Sequence, residues 1–270
     1  MTNNKKRISY VVCAYGFFWL ALLLIGVVLL LVDEGFQGSI PFRLLTSASA
    51  WTPTLALFVL FKKLNPGSSI KEFYKNAFRE RLKLKMILFT TVTQLLILFS
   101  AAGIFAFTSD VAFLGLFNLS LPALGISFVW NFTSGPTGEQ SGWRGFLQPN
   151  MEKDNGVIMS SIFVGVIWGF WHAPLWFLTS GYLGIDLVQW IIAYMVAIVS
   201  AAIIIGICYS RCRNLFVPIW IHFMHNFALS GLSVNAQDML SIFTVSAALY
   251  ALVAIGYSIW HRRSGRQCTE

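Results

Sequence analysis

Three short stretches of a largely apolar chain carry most of its reactive side chains. The first is Gly138-Glu139-Gln140-Ser141-Gly142-Trp143-Arg144-Gly145. The second is Trp168-Gly169-Phe170-Trp171-His172, and the third is His222-Phe223-Met224-His225-Asn226. Three of the chain's four histidines therefore sit in apolar surroundings. On a helix, Gln140 and Arg144 share a face at i,i+4, and Glu139 lies about 100° round from Gln140. His222 and Asn226 also share a face, with His225 beside them at i+3. One carboxylate, two or three imidazoles and an amide can thus converge from three helices. That set suits a carboxylate base with imidazole help activating water, with His and Asn donors for an oxyanion. It suits equally a metal held by Glu and His, zinc being the usual ion for such ligands.

Each group also has a structural reading. A lone histidine in a membrane helix can simply hydrogen-bond a neighbouring helix. Glu139 with Arg144 can be an ion pair. His172, among Trp168, Trp171 and Trp176, can belong to an interfacial aromatic belt. The cost of ionisable side chains inside a bilayer favours function for the set as a whole. Rival protease signatures are missing: the chain has no His-Glu-x-x-His and no Gly-x-Gly-Asp, and Ser141 lacks a Gly-x-Ser-Gly setting.

The elements that must position these groups follow from composition. Of the 270 residues, 57% are apolar and 11% charged, against about 25% charge in an ordinary soluble domain. Long uncharged runs exclude a soluble enzyme and a disulfide-rich scaffold, and they do not alternate as barrel strands do. Apolar stretches at 9–32, 44–61, 86–107, 119–147, 157–178, 187–208, 214–230 and 239–260 predict an all-α polytopic membrane bundle of about eight transmembrane helices. The fourth is interrupted by Gly135, Pro136, Glu139 and Arg144, and the seventh is short. The chain reads as a single membrane domain, 1–270, with no internal repeat of the kind that paired transporter halves show.

In that scheme the basic residues fall on one side: Lys5 to Arg7, Lys62 to Lys85, Lys153, Arg211, Arg213, and Arg262 to Arg266. The other side carries Asp33, Glu34, Asp110, Asp186 and Asp238, with Arg43 near it. The asymmetry predicts both termini in the cytoplasm. The net charge of +8 is thereby a topology signal, and no nucleic-acid partner is expected. Cys208 and Cys212 are spaced i,i+4, and Cys268 is third from the end, so neither a zinc pattern nor a prenylation box is written. Around 66–85, Ser69 and Glu72 form a capping box. Ile70, Phe73, Tyr74, Phe78 and Leu82 then recur at helical spacing among basic residues. This predicts an amphipathic helix on the inner leaflet or, alternatively, one packed on the bundle.

The three stretches together resemble the CAAX-processing and bacteriocin-processing (abortive-infection-like) family of membrane proteases. Its motifs are Glu-Glu-x-x-x-Arg, Phe-x-x-x-His and His-x-x-x-Asn or Asp. The matches here are Glu139 to Arg144, Trp168 to His172, and His222 to Asn226, spread over a core of about 120–230. The resemblance implies eight spans, an intramembrane site and peptide-bond hydrolysis. Glu139 would be the base on water, aided by His172, while His222 and Asn226 would stabilise the oxyanion. If zinc is used, Glu139, His172 and His222 would hold it. Two departures stand out: Trp168 in place of Phe, and Gln140 in place of the second Glu. Gln140 can accept a hydrogen bond from Arg144 but brings no charge. The implied partner is a peptide or membrane-anchored protein in the lipid bilayer. The implied setting is a bacterial plasma membrane. Some members bind partners without cleaving them, so an immunity or scaffold protein is the alternative.

Overall fold

The computed structural model describes residues 2–32, 36 and 39–266. Among these, helices account for nearly all of the chain, joined by short turns, and a lone bridge pairs Phe117 with Leu232. Asp33, Glu34 and Cys268 lie outside the described residues. In chain order the helices are α1 (Asn3–Leu31), α2 (Ile40–Ser49), α3 (Thr52–Val59), α4 (Phe61–Leu64), α5 (Ile70–Ala77), α6 (Leu84–Ser109), α7 (Leu121–Thr133), α8 (Gly135–Gly142), α9 (Gln148–Trp171), α10 (Ala173–Leu178), α11 (Gly184–Cys212), α12 (Phe216–Leu229) and α13 (Ala236–Arg266). A π-helical turn, Trp143–Leu147, joins α8 to α9.

Five stretches among the described residues are long and apolar enough to cross a bilayer: Asn3–Leu31, Leu84–Ser109, Leu121–Trp171, Gly184–Cys212 and Ala236–Ser264. The stretch from Leu121 to Trp171 covers most of the fourth and fifth expected spans, the fifth being broken at His172 between α9 and α10. Its 51 residues would reach about 76 Å as one straight helix, far beyond the ~30 Å hydrocarbon core. The break comes at Gly156, whose φ of 67° and ψ of 174° interrupt α9. Only glycine takes that conformation without strain. The expected span at 44–61 is itself broken, between α2 and α3 at Ala50–Trp51 and again at Leu60. The expected 214–230 span is the 14-residue α12.

The core is built around α9, α11 and α13. Ala197, Ala201 and Ala202 keep one face of α11 small, and the backbones of α9 and α11 meet closely at Gly165 and Gly206. Close approach of this kind supplies the dispersion that holds helices together where lipid removes the hydrophobic drive. α1 presents Tyr10, Ala14, Phe18 and Leu22 inward at i,i+4. Phe18 stacks on Trp171 at 3.8 Å between ring centres, and the Trp171 indole donates to the Ala14 carbonyl at 3.2 Å. These contacts pin the end of α9 where His172 sits.

α5 is shorter than its apolar pattern, ending at Ala77, because residues 79–83 are not helical. The capping box at its start is formed as expected. Ser69, through its backbone N–H first and then its hydroxyl, holds the Glu72 carboxyl below its usual range. Phe73 packs edge-on to Phe61, the Tyr74 hydroxyl bonds Ser141 Oγ at 3.0 Å, and Leu215 N donates to Ala77 O at 2.8 Å. One face of α5 therefore sits on the bundle, while Ile70, Phe78 and Leu82 remain exposed.

Candidate active site

Two local breaks set up the first stretch. Ser134 leaves helical geometry at ψ −105° and ends α7, and Pro136 starts α8 in its first turn, where its missing N–H costs nothing. The π turn then adds a residue to the helical register around Arg144. Such bulges often accompany functional groups. Glu139, Gln140 and Arg144 are all buried, Gln140 and Arg144 completely. Ser141 turns to Tyr74 on α5, so it is not with the histidines.

Glu139, His172, His222, His225 and Asn226 wall one cavity of about 140 Å³, with Trp168 and Tyr194. They come from α8, the α9–α10 junction and α12. The Trp168 indole N–H donates to Glu139 Oε2 at 2.5 Å. The guanidinium of Arg144 lies 4.6 Å from the centre of the Trp168 ring. Gly135 is needed here for space: a Cβ on it would stand 2.8 Å from Glu139 Oε1 and 3.3 Å from His222 Cε1.

The histidines differ in what their nitrogens do. His172 Nδ1 lies 2.8 Å from the Trp168 carbonyl. A carbonyl only accepts, so Nδ1 carries the proton and Nε2 is left with its lone pair. His222 is held on both sides, by the Gln140 amide at Nδ1 (2.9 Å) and the Asn226 amide at Nε2 (3.3 Å). A neutral ring donates through one nitrogen and accepts through the other, so one amide turns its oxygen to it. His225 Nδ1 is buried without a partner, and its ring lies edge-on to Tyr250 at 4.9 Å.

Two expectations need correction. Gln140 meets His222 and not Arg144. Arg144 forms no ion pair with Glu139 among the described residues, and its three guanidinium nitrogens have no hydrogen-bond partner. Its charge rests on the face of Trp168 instead. The reason is reach: the π turn lies between Gln140 and the rest of the helix, so the ideal i,i+4 neighbourhood is lost.

The set does not fit zinc as it stands. No three His, Cys, Asp or Glu side chains among the described residues gather closely enough for a metal ion. Both nitrogens of His222 are already engaged, and Glu139 Oε2 takes the indole proton.

A second cavity, about 710 Å³, runs from the same place between α1, α2 and α10. Glu139 and His172 line both cavities. Phe18, Leu22, Ile25, Leu175 and Leu178 give the larger one mostly apolar walls. An extended apolar or peptide chain there would pass the carboxylate and the imidazole, with the small polar chamber behind them.

Sequence reasoning found the ionisable residues because they stand out in an apolar background. It missed the indole of Trp168 as a donor to Glu139, and it missed Gln140 as the partner of His222. The first had a visible sign, since Trp differs from the motif's Phe by an N–H. The second joins residues 82 apart, and nothing local announces it.

Comparison with known proteins singles out the same part of the chain. Residues 121–228 match a family model described as type II CAAX prenyl endopeptidase Rce1-like. That interval contains all three stretches. A protein named CAAX prenyl protease 2 from Methanococcus maripaludis is 23% identical over 210 residues, covering 72% of this chain and 78% of the relative.

Proposed function

We propose that the chain is a member of the CAAX-processing and bacteriocin-processing family of intramembrane proteases, an endopeptidase in which Glu139 and His172 activate water while His222 and Asn226 stabilise the oxyanion. The supporting observation is that these four side chains, scarce in so apolar a chain, wall one buried cavity.

The groups divide the work as follows. Glu139 accepts the proton of the attacking water, its position fixed by the Trp168 indole. His172 Nε2, with its lone pair free, accepts a hydrogen bond from the same water and orients it. Gln140, donating to His222 Nδ1, keeps the proton on Nε2, which is the nitrogen beside Asn226 and Gly135. Asn226 then turns its oxygen to that N–H and its own amide N–H outward, so the Asn226 amide donates to the oxygen that becomes negative as the tetrahedral intermediate forms, and the His222 N–H is shared between Asn226 and that oxygen. Proton return from Glu139 to the leaving amine completes hydrolysis. Arg144 acts at one remove: stacked on Trp168, it holds the ring that holds the carboxylate. No step here runs through a metal.

The substrate is a peptide or membrane-anchored protein whose chain lies in the larger cavity beside Glu139 and His172. Comparative peptidomics of wild type and Glu139→Gln in the native host tests this reading. Peptides that disappear or accumulate uncleaved only in the variant support it. Identical peptidomes with normal protein abundance would make the chain a binding protein, which needs the cavity's shape but not its carboxylate.

The setting is a bacterial plasma membrane with both termini and the Lys62–Lys85 connection in the cytoplasm, from the distribution of basic residues. A cysteine at Lys75, in an otherwise cysteine-free protein, should resist an impermeant thiol reagent applied to intact cells. Its labelling from outside would overturn that orientation.

A further inference from the structure

The furrow between α6 and α13 lies away from the candidate catalytic groups. Its wider half, about 630 Å³, has Lys83 and Lys85 at one end and Met86, Phe89, Tyr257 and Trp260 along its walls. A second half of about 400 Å³ continues past Thr93 to Ser100. The two halves share Phe89, Gly256 and Tyr257, so they form one channel along α6. From Lys85 to Ser100 it runs about 22 Å at 1.5 Å per residue. That exceeds the ~15 Å of hydrocarbon in one leaflet. Gly256 leaves a notch in it, since a Cβ there would meet nothing within 4 Å.

Only one end is charged, and its charge is of one sign. Lys83 donates to the Arg211 carbonyl at 2.6 Å, and the Arg211 guanidinium lies 3.8 Å over the Trp260 ring with Nε unpartnered. Arg263 follows Trp260 at i+3 on α13. No Asp or Glu lines either half. On the α9–α11 side, Glu152 is paired with Arg213 at 3.3 Å. None of Lys83, Lys85 or Arg211 has a carboxylate within ion-pair distance among the described residues.

An apolar channel long enough to cross one leaflet, closed at one end by unpaired cations and a tryptophan, is the shape of an acyl chain with a phosphate at its head. We infer that this furrow is a specific site for an anionic phospholipid, its phosphate held by Lys83, Lys85 and Arg211 and one acyl chain running along α6 past Gly256. A headgroup that adds its own cation next to the phosphate meets three or four positive side chains there. The site therefore selects net negative lipids over zwitterionic ones, as basic pockets between membrane helices do.

Native mass spectrometry of the delipidated full chain in detergent tests the inference, with phosphatidylglycerol and phosphatidylcholine of identical acyl chains. Wild type should retain phosphatidylglycerol at least tenfold more strongly. Neutralising each of Lys83 and Lys85 to Gln should weaken that retention about fivefold. Gly256→Leu, which fills the notch without touching a charge, should weaken it as well. Lys62→Gln/Lys63→Gln, exposed cations on α4, should not. Brominated phosphatidylglycerol should quench wild-type tryptophan emission more than that of Trp260→Phe, a reading that does not depend on the lysine variants folding. Equal retention of the two lipids by wild type overturns the site. So does an equal loss in the α4 control, which would reduce the effect to general surface charge, and so does unchanged retention in Gly256→Leu.

Discussion

Replacing Trp168 with Phe removes one N–H and the outer ring while keeping an aromatic side chain on α9. In the structure that N–H lies 2.5 Å from Glu139 Oε2, with both residues buried. A hydrogen bond to a charged group contributes roughly 1.5–3 kcal/mol. At about 1.4 kcal/mol per decade of rate, losing it from the transition state corresponds to roughly ten- to a hundredfold in turnover. The smaller ring also gives up part of the face on which Arg144 rests, so the carboxylate loses its donor and the donor's support together. Steady-state cleavage by purified wild type and Trp168→Phe is the assay. The expected result is kcat down by at least tenfold with KM nearly unchanged, because the bond restrains the base and does not touch substrate. Unchanged kcat in a folded variant would refute the idea that Trp168 aims Glu139. A rise in KM alone would mean that Trp168 contacts the substrate instead.

Glu139→Ala, His172→Ala and His222→Ala should each lower cleavage by about 10²-fold or more while the protein still inserts and accumulates; membrane abundance and product formation measure both. His225→Ala should cost much less, since no donor or acceptor engages its Nδ1, and severe loss there with none at His222 would reverse the roles of the two histidines. Gln140→Glu should raise turnover severalfold, because a carboxylate accepting a charge-assisted hydrogen bond from His222 Nδ1 favours the doubly protonated ring, which keeps its Nε2 donor and adds positive charge facing the oxyanion. Equal or lower activity across a range of pH would show that the site depends on a neutral partner for His222. The wild type should keep its turnover after exhaustive dialysis against a chelator, given how His222 is held on both sides, and activity restored only by added zinc would contradict that reading.

Much of the fold is legible in the chain. Uncharged runs longer than a bilayer's thickness can only be spanning helices, and α1, α6, α11 and α13 lie where those runs lie. The breaks are harder to read. Ala50–Trp51 interrupts an apolar stretch with no charge to mark it, and Gly156 is one glycine among 21, exposed and with nothing packed against it, so no neighbouring residue type marks its positive φ. The end of α5 at Ala77 is hidden because the apolar spacing continues through Phe78 and Leu82 after the backbone has left the helix. At the site, residue types are visible but their partners are not. The i,i+4 rule places Gln140 beside Arg144 only on a regular helix, and the π turn removes that premise. Gln140 finds His222 through the approach of α12 to α8, a contact between helices that no spacing encodes.

Glu139 and His172 stand as a partition, with about 140 Å³ on one side and about 710 Å³ on the other. At roughly 30 Å³ per water molecule, the smaller side has room for four or five. Hydrolysis consumes one each time a bond is cut, so a large fraction of the chamber's capacity turns over with every product. The reagent is then not a solvent in excess but a small stock that must be refilled. Refilling cannot come readily through the larger side once an apolar chain occupies it. On the proposed mechanism the partition ties the two events together: a substrate chain in the larger cavity stands across one route to the stock it draws on, and its departure reopens that route.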